Sequence, residues 1–342
     1  HHLRPSDATR LTWGMSWRHD TVSSDTMLRD RGTVSRQVRR AFANGEWKPA
    51  TRLTVNVGAS SENDSLSGNH LSPRASVALH LTPENTLRVG YAQAWRTPSL
   101  VAYNANYRDR GVLRYRNDQI GNRGLEAEEL DTWEIGYLGD WRDWRMSLDV
   151  RLFRESLRDR ILLLPPGASP TPRSEQNVQD IDIDGYEFQW RWQPFEPTRV
   201  VLNHAYVRAS AGLSENGARI AATPGSNLAG DDGRYLALAE NAAPRRASSL
   251  LWMQRLPYGL EFSLARYWVG EVKWTRNTEV KKYRRTDARL AYPFRIAGQR
   301  GELAYTVQSL DGAHEEQRSA EVDEPNQRTV DRRHWISLRL DF

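Results

Sequence analysis

Apolar and polar residues alternate one for one through segment after segment of this chain. That period of two constrains the fold more than any other feature, because it sends successive side chains to opposite faces of an extended strand. "RLTWGMSW" sets Leu11, Trp13, Met15 and Trp17 against Thr12, Gly14 and Ser16. "RLTVNVGA" does the same with Leu53, Val55, Val57 and Ala59, and "RASVALHL" with Ala75, Val77, Leu79 and Leu81. In "WRMSLDVRL" the apolar set is Trp144, Met146, Leu148, Val150 and Leu152, with Arg145, Ser147, Asp149 and Arg151 between them. In "YEFQWRWQ" Tyr186, Phe188, Trp190 and Trp192 enclose Glu187, Gln189 and Arg191. On a helix those arginines would scatter around the axis; on a strand they share one face. The segments run for about ten residues, the length of a tilted strand that crosses a bilayer.

The connections carry a second pattern. Short turns are expected at 44–49, 82–85, 139–143, 193–197, 256–259 and 296–301. Longer polar segments fall between them, at 22–33, 61–71, 97–127, 158–175, 210–243, 271–283 and 311–331. Short and long alternate strictly, which gives about 14 strands, an even number as bacterial membrane barrels require. In such barrels short turns lie on the periplasmic side and long loops outside. The expected fold class is therefore all-β, a transmembrane antiparallel barrel with long extracellular loops and short periplasmic turns. The final "HWISLRLDF" keeps the alternation and runs inward, placing Phe342 at the periplasmic rim.

Composition tests that reading. The 342 residues are 39% hydrophobic and 27% charged. No run approaches the ~18 apolar residues of a spanning helix. A barrel tolerates such polarity because only alternate residues meet lipid. The 13 Trp and 13 Tyr suit aromatic girdles at the two membrane surfaces. A soluble all-β protein also alternates, but it does not account for the loop asymmetry. With no cysteine there are no disulfides, thiolate metal sites or Cys nucleophiles. The histidines are scattered without metal-site spacing. Glu128, Glu129 and Asp131 read as a charged strand start, and "GDDGRY" at 230–235 lacks calcium-loop spacing. No catalytic residue, metal site or cofactor is expected, and no nucleic-acid partner.

Six motifs, and then a terminal strand, follow one another from residue 91 to the end. "YAQAWRTPSL" carries Arg96, Thr97 and Pro98 after an aromatic-rich strand. "NRGLEAEELDTWEIGY" carries Asn122, Leu125, Glu128, Glu134 and Gly136. "NVQDIDIDGYEFQW" carries Asn177, Gly185 and Glu187, and "NAAPRRASSLLW" carries Pro244 and Arg245. "RRTDARLAY" has Asp287 and Arg289, and "YTVQSLDGAHEE" leads to the terminal strand "DRRHWISLRLDF". In this order they resemble the barrel of TonB-dependent outer-membrane receptors. The chain departs from the family pattern at Arg123 and Ala127, where prolines are usual, at Arg246 in place of a histidine, and at Ser309 in place of an asparagine. Residues 1–90 match in pattern only.

The resemblance implies a 22-stranded barrel around a plugged lumen, of the kind outer-membrane transporters close. Residues 1–342 are then expected to be the C-terminal part of the barrel, with the N-terminal plug and early strands absent. The implied activity is import of a scarce ligand, foremost a ferric siderophore, without covalent chemistry. The alternative is a passive outer-membrane porin of about 14 strands, and a third reading is a soluble β adhesion module. The implied partners are membrane lipid and lipopolysaccharide, the TonB–ExbB–ExbD system through the plug, and the barrel assembly machinery through the strand ending at Phe342.

For ligand capture the first candidate is the 97–127 loop. It interleaves Tyr103, Tyr107 and Tyr115 with Arg108, Arg110, Arg114 and Arg116. Guanidinium forks and aromatic faces suit an anionic aromatic chelate. Contact with lipopolysaccharide phosphates, or simple solvation, is the competing account. A second basic group holds Lys273, Trp274, Arg276, Lys281, Lys282, Arg284 and Arg285. The acidic loop 311–331, with Glu315, Glu316, Glu321, Asp323 and Glu324, is expected to pair with the basic loops and close the vestibule. Arg145, Asp149, Arg151, Glu187, Gln189 and Arg191 are expected to face the lumen in structural roles.

Overall fold

The computed structural model describes residues 1–117, 125–164, 172–226, 228, 232–275, 278–296, 298–321 and 324–341. Asn122, Arg276 and Phe342 lie outside them. The first strands are β1 (His2–Ser6), β2 (Thr9–Ser23), β3 (Thr33–Ala50), β4 (Leu53–Asp64), β5 (Gly68–Thr82) and β6 (Asn85–Arg96). A loop segment follows, with helix α1 (Leu100–Asn104) and a hairpin of β7 (Asn106–Asp109) and β8 (Val112–Arg116). The wall resumes with β9 (Glu128–Trp141), β10 (Met146–Leu164), β11 (Ser174–Phe195) and β12 (Thr198–Leu213). Helices α2 (Glu215–Ala221) and α3 (Asp232–Glu240) precede β13 (Arg246–Arg255) and β14 (Glu261–Val269). The last elements are β15 (Val272–Thr275), β16 (Thr278–Val280), β17 (Tyr283–Ile296), β18 (Gln299–Gln308), β19 (His314–Glu321), β20 (Glu324–Val330) and β21 (Arg333–Asp341).

Fifteen of these strands form one sheet, ordered β1-β2-β3-β4-β5-β6-β9-β10-β11-β12-β13-β14-β17-β18-β21. Every neighbour is antiparallel, as the alternation of turns and loops demands. The wall comprises the expected set of long strands plus the five-residue β1, whose "HLRPS" carries no alternation to announce it. Among the described residues β1 and β21 are the two edges and do not pair with each other.

The register sorts the two faces. One row runs Val55, Val77, Val89, Ile135, Leu152, Tyr186 and Tyr206 across seven strands. These side chains are not a core: Ile135 is 51% and Leu152 53% exposed, as a lipid-facing surface requires. One residue along, the other face carries Arg88, Gly136, Arg151 and Glu187 in line. Arg151, Glu187, Gln189 and Asp149 thus share the face opposite the apolar rows, as their alternation predicts. Arg145 instead sits in the 142–145 turn with φ of 49°.

Two connections differ from expectation. The segment 44–49 is not a turn; β3 runs through it and reverses only at 51–52. Gly45 is a ladder residue there, opposite Leu11 on one side and Val57 on the other. At 61–71 there is no long loop, because β4 and β5 continue to a tight turn in which Asp64 Oδ1 accepts from the Leu66 N–H at 2.8 Å and Gly68 takes φ of 90°. The late loops meet as a second sheet, β15-β16-β19-β20, joined by Thr278 opposite Ser319 and Glu279 opposite Arg318. The basic and acidic loops therefore come together, through a backbone ladder. A small apolar cluster of Leu164, Val178 and Leu228 packs with Leu213, Ile220 and Tyr235 where α2 and α3 lie over β11 and β12.

Candidate ligand site at the extracellular rim

The site starts where β6 ends. Arg36 on β3 is nearly buried and lies 3.4 Å from Asp64. Its Nη1 donates to the Pro98 carbonyl at 2.9 Å, fixing the chain as it leaves the wall. Ser99 caps α1, its Oγ accepting from the Ala102 N–H at 3.0 Å. The β7–β8 hairpin then reverses at Arg110 (φ 47°) and Gly111 (φ 83°), two left-handed residues as a tight hairpin turn requires.

The period of two decides what this hairpin shows to solvent. Tyr107 and Tyr115 lie opposite each other and are half-buried, while Arg108, Arg110, Arg114 and Arg116 are exposed. Tyr103, on α1, is also half-buried. Arg114 lies 3.7 Å from Asp109; Arg108 and Arg110 have no ion pair among the described residues. The sequence-predicted set is thus divided by geometry into an exposed guanidinium face and tyrosines behind it.

A polar network holds the hairpin to the wall. The Tyr115 hydroxyl donates to Glu175 at 2.9 Å, and burial together with that carboxylate pushes the phenol up, so it stays protonated as a donor. Buried Asn117 accepts from the Glu175 N–H at 2.7 Å and donates to the Ala102 carbonyl. The hairpin edge exchanges backbone bonds with Arg173: Arg116 N–H to its carbonyl at 2.9 Å, and its N–H to the Arg114 carbonyl at 3.0 Å. Asn177 accepts from the Glu126 N–H at 2.9 Å and donates to the Asp159 carbonyl at 2.6 Å. Sequence reasoning missed Arg36, Asn117 and Glu175, because each acts across about 60 residues with no local pattern to mark it.

The motif residues fall mostly below this rim. Glu128 is 3% exposed and receives both Arg96 Nε and Nη2, and its Oε1 also accepts the Ile161 N–H at 2.6 Å. Leu125 is buried beside it in sequence. Glu134 lies 3.3 Å from Arg88 and 2.8 Å from Arg151, and Arg151 reaches Glu187 at 3.4 Å. Gly136 leaves room for Arg88, whose Nε would sit 3.4 Å from an added Cβ. Trp274 is exposed on β15 in the other loop layer, and no hydrogen bond or ring contact joins it to the β7–β8 hairpin among the described residues.

The wall, its two faces and the order of the motifs converge with a family model. The model described as TonB dependent receptor-like, beta-barrel, matches residues 3–308. The chain belongs to that family. It is an outer-membrane β-barrel protein of the TonB-dependent receptor class. Among curated proteins it is 28% identical over 144 residues to the ferrienterobactin receptor of Escherichia coli K12, covering 39% of this chain and 18% of that one. It is 20% identical over 197 residues to the iron-regulated outer membrane virulence protein of Vibrio cholerae, covering 54% of this chain and 30% of that one. Among solved structures, the ferric enterobactin receptor of Pseudomonas aeruginosa superposes with TM-score 0.70 at 16% identity, over 96% of this chain and 50% of that one. The siderophore receptor PirA of Acinetobacter baumannii gives TM-score 0.70 at 16% identity, over 96% and 52%. At such identities the likeness is one of fold. The chain spans about half the length of those solved receptors.

Proposed function

We propose that this chain is the C-terminal part of the barrel of a receptor that imports a scarce anionic, aromatic chelate, foremost a ferric siderophore of catecholate type. The observation that carries this reading is the β7–β8 hairpin, which presents Arg108, Arg110, Arg114 and Arg116 outward on a backing of tyrosines. Planar guanidinium forks bind oxyanions bidentately and stack on aromatic rings, so one surface serves both parts of such a ligand. Relatives named as ferric enterobactin and siderophore receptors support the same ligand class. Capture is then an electrostatic event at the rim. Release into the lumen is driven by TonB acting on a plug that precedes this part of the barrel, and the chain's own residues make no covalent bond.

The test is ligand titration of the full-length receptor in detergent. Arg108→Ala with Arg110→Ala is expected to weaken ferric-catecholate binding by roughly tenfold, the loss of one to two charge-assisted contacts. Unchanged affinity would remove the hairpin from the site. Planar-bilayer recording of the same protein separates a gated receptor from a passive pore, since only the latter gives a stable open conductance.

A further inference from the structure

Two other loops reach the β7–β8 hairpin, and they meet it differently. On the β7 side Leu28, from the loop after β2, forms a parallel bridge with Asn106, whose N–H donates to the Met27 carbonyl at 2.8 Å. Leu28 is buried, and the chain turns away at once, the Arg31 N–H returning to the Leu28 carbonyl at 3.0 Å. On the β8 side Arg173, from the loop after β10, forms a parallel bridge with Tyr115. Arg173 is exposed and has no ion pair among the described residues. A buried leucine thus meets one margin of the hairpin, and an exposed guanidinium borders the other.

Bridged neighbours send their side chains to the same face of a sheet. Tyr107 pairs with Tyr115 across the hairpin, and Tyr115 is bridged to Arg173. The three side chains therefore stand in one row over three strands, about 4.8 Å apart at each step. Arg114 and Arg116 flank Tyr115 in sequence, so the alternation turns them to the opposite face. Arg173 differs from them in being aligned with the rings. Glu175 lies two residues beyond Arg173 and shares its face, but its Oε1 accepts from the Tyr115 hydroxyl at 2.9 Å. That carboxylate serves the phenol and leaves the Arg173 charge unmatched.

A chelate whose charge sits on oxygens of an aromatic ring needs both groups at that spacing. Its ring stacks on a phenol face, and its oxygens meet a guanidinium on the next strand. A chelate without a ring uses the cation alone. We propose that Arg173 is a specificity-determining residue of the ligand site, which with Tyr107 and Tyr115 selects chelates whose anionic oxygens are borne on an aromatic ring. This rests on the reading of the hairpin as the capture surface, and adds to it a residue from a different loop. The planar fork suits the task, because it binds paired oxygens in the plane and lies flat against rings. The main chain of Arg173 fixes its place: its N–H donates to the Arg114 carbonyl at 3.0 Å and its carbonyl accepts from the Arg116 N–H at 2.9 Å. The side chain is thereby left available to a ligand.

The full-length receptor in detergent is titrated with a ferric tris-catecholate and with a ring-free ferric trihydroxamate. The unaltered protein is expected to favour the tris-catecholate by roughly tenfold or more, the worth of one or two charge-assisted contacts. Arg173→Ala is expected to weaken tris-catecholate binding by roughly tenfold and to leave trihydroxamate binding within about twofold. Arg173→Lys is expected to recover only part of the loss, because an ammonium lacks the planar fork. Hydrogen exchange over 106–117 is expected to stay unchanged in both variants, since the backbone of residue 173 holds the hairpin. Faster exchange there would make the side chain a strut and overturn its ligand role. Equal affinity of the unaltered protein for both chelates, an equal loss for both in Arg173→Ala, full recovery in Arg173→Lys, or no loss at all would each overturn it too. The hairpin reading is tested apart from this: if Arg108→Ala with Arg110→Ala weakens binding and Arg173→Ala does not, this inference alone fails. If neither weakens it, the hairpin itself leaves the site.

Discussion

Gly185 shows how one missing side chain maintains the wall. Its backbone is ordinary strand, so conformation does not demand glycine. Space does: an added Cβ would stand 2.5 Å from the Phe153 ring and 2.6 Å from the Tyr206 carbonyl oxygen. Gly185→Ala is expected to cost about 1–3 kcal/mol through forced displacement of Phe153 and the β11–β12 ladder. Urea unfolding of the receptor in micelles measures it, and an unchanged midpoint would refute the packing account. Glu128 poses the opposite case, a buried carboxylate that holds Arg96 and the Ile161 N–H together. The Arg96 side chain is 70% exposed, so it can turn to water when its partner goes. Glu128→Gln is therefore expected to cost about 1–2 kcal/mol, less than a fully buried pair would. Faster trypsin cleavage within 97–127 is the sign to look for. Both positions stood out in the sequence as motif residues, but their reasons did not, since neither Phe153 nor Ile161 is near them in the chain.

Among the elements, the strands were legible and the loops were not. Alternation survives in a strand because lipid on one side and a polar lumen on the other select every second residue. The segment 44–49 misled because Asn-Gly and Pro are turn residues by preference, yet the ladder to Leu11 and Val57 keeps Gly45 extended. The β16–β19 pairing joins loops some 40 residues apart, and no periodicity encodes a partner that distant. Helix α2 rests on β11 so closely that a Cβ at Gly217 would overlap the Val178 carbonyl oxygen. Gly217→Ala is expected to lift α2 and expose the 214–240 segment to protease, while the wall resists as before. The turn after β18 adds a pH dependence. The Thr286 hydroxyl at 2.6 Å, and then Arg266, hold the Asp311 carboxyl below its usual range. A depressed folded value means that the contact contributes fully above the unfolded pKa of about 3.9 and is lost as pH falls through the folded one. Hydrogen exchange at 309–314 is expected to quicken only below about pH 4, and Asp311→Asn should remove that dependence.

At the scale of the molecule, the two edges of the wall govern behaviour. Among the described residues β1 and β21 present open rows of N–H and C=O groups, which hydrocarbon does not tolerate and which recruit other strands. Residues 1–342 expressed alone are expected to associate through these edges, giving mixed oligomers by light scattering. A monodisperse, heat-modifiable monomer would mean that the edges find each other. The fold class could be read in advance because membrane and lumen act on every strand alike. The ligand end could be read only as a composition of arginine and tyrosine, because which of them face outward depends on the Arg110–Gly111 reversal and on anchors from other strands.

The length of β11 has a consequence for the cell surface. Its 22 residues, at ~3.3 Å each and tilted by ~45°, climb roughly 50 Å against a hydrocarbon layer of ~30 Å. Above β14, β17, β18 and β21 the height comes instead from the separate sheet β15-β16-β19-β20. Antibodies and phages would meet both, the one rooted in the wall like a mast, the other raised on it like an awning.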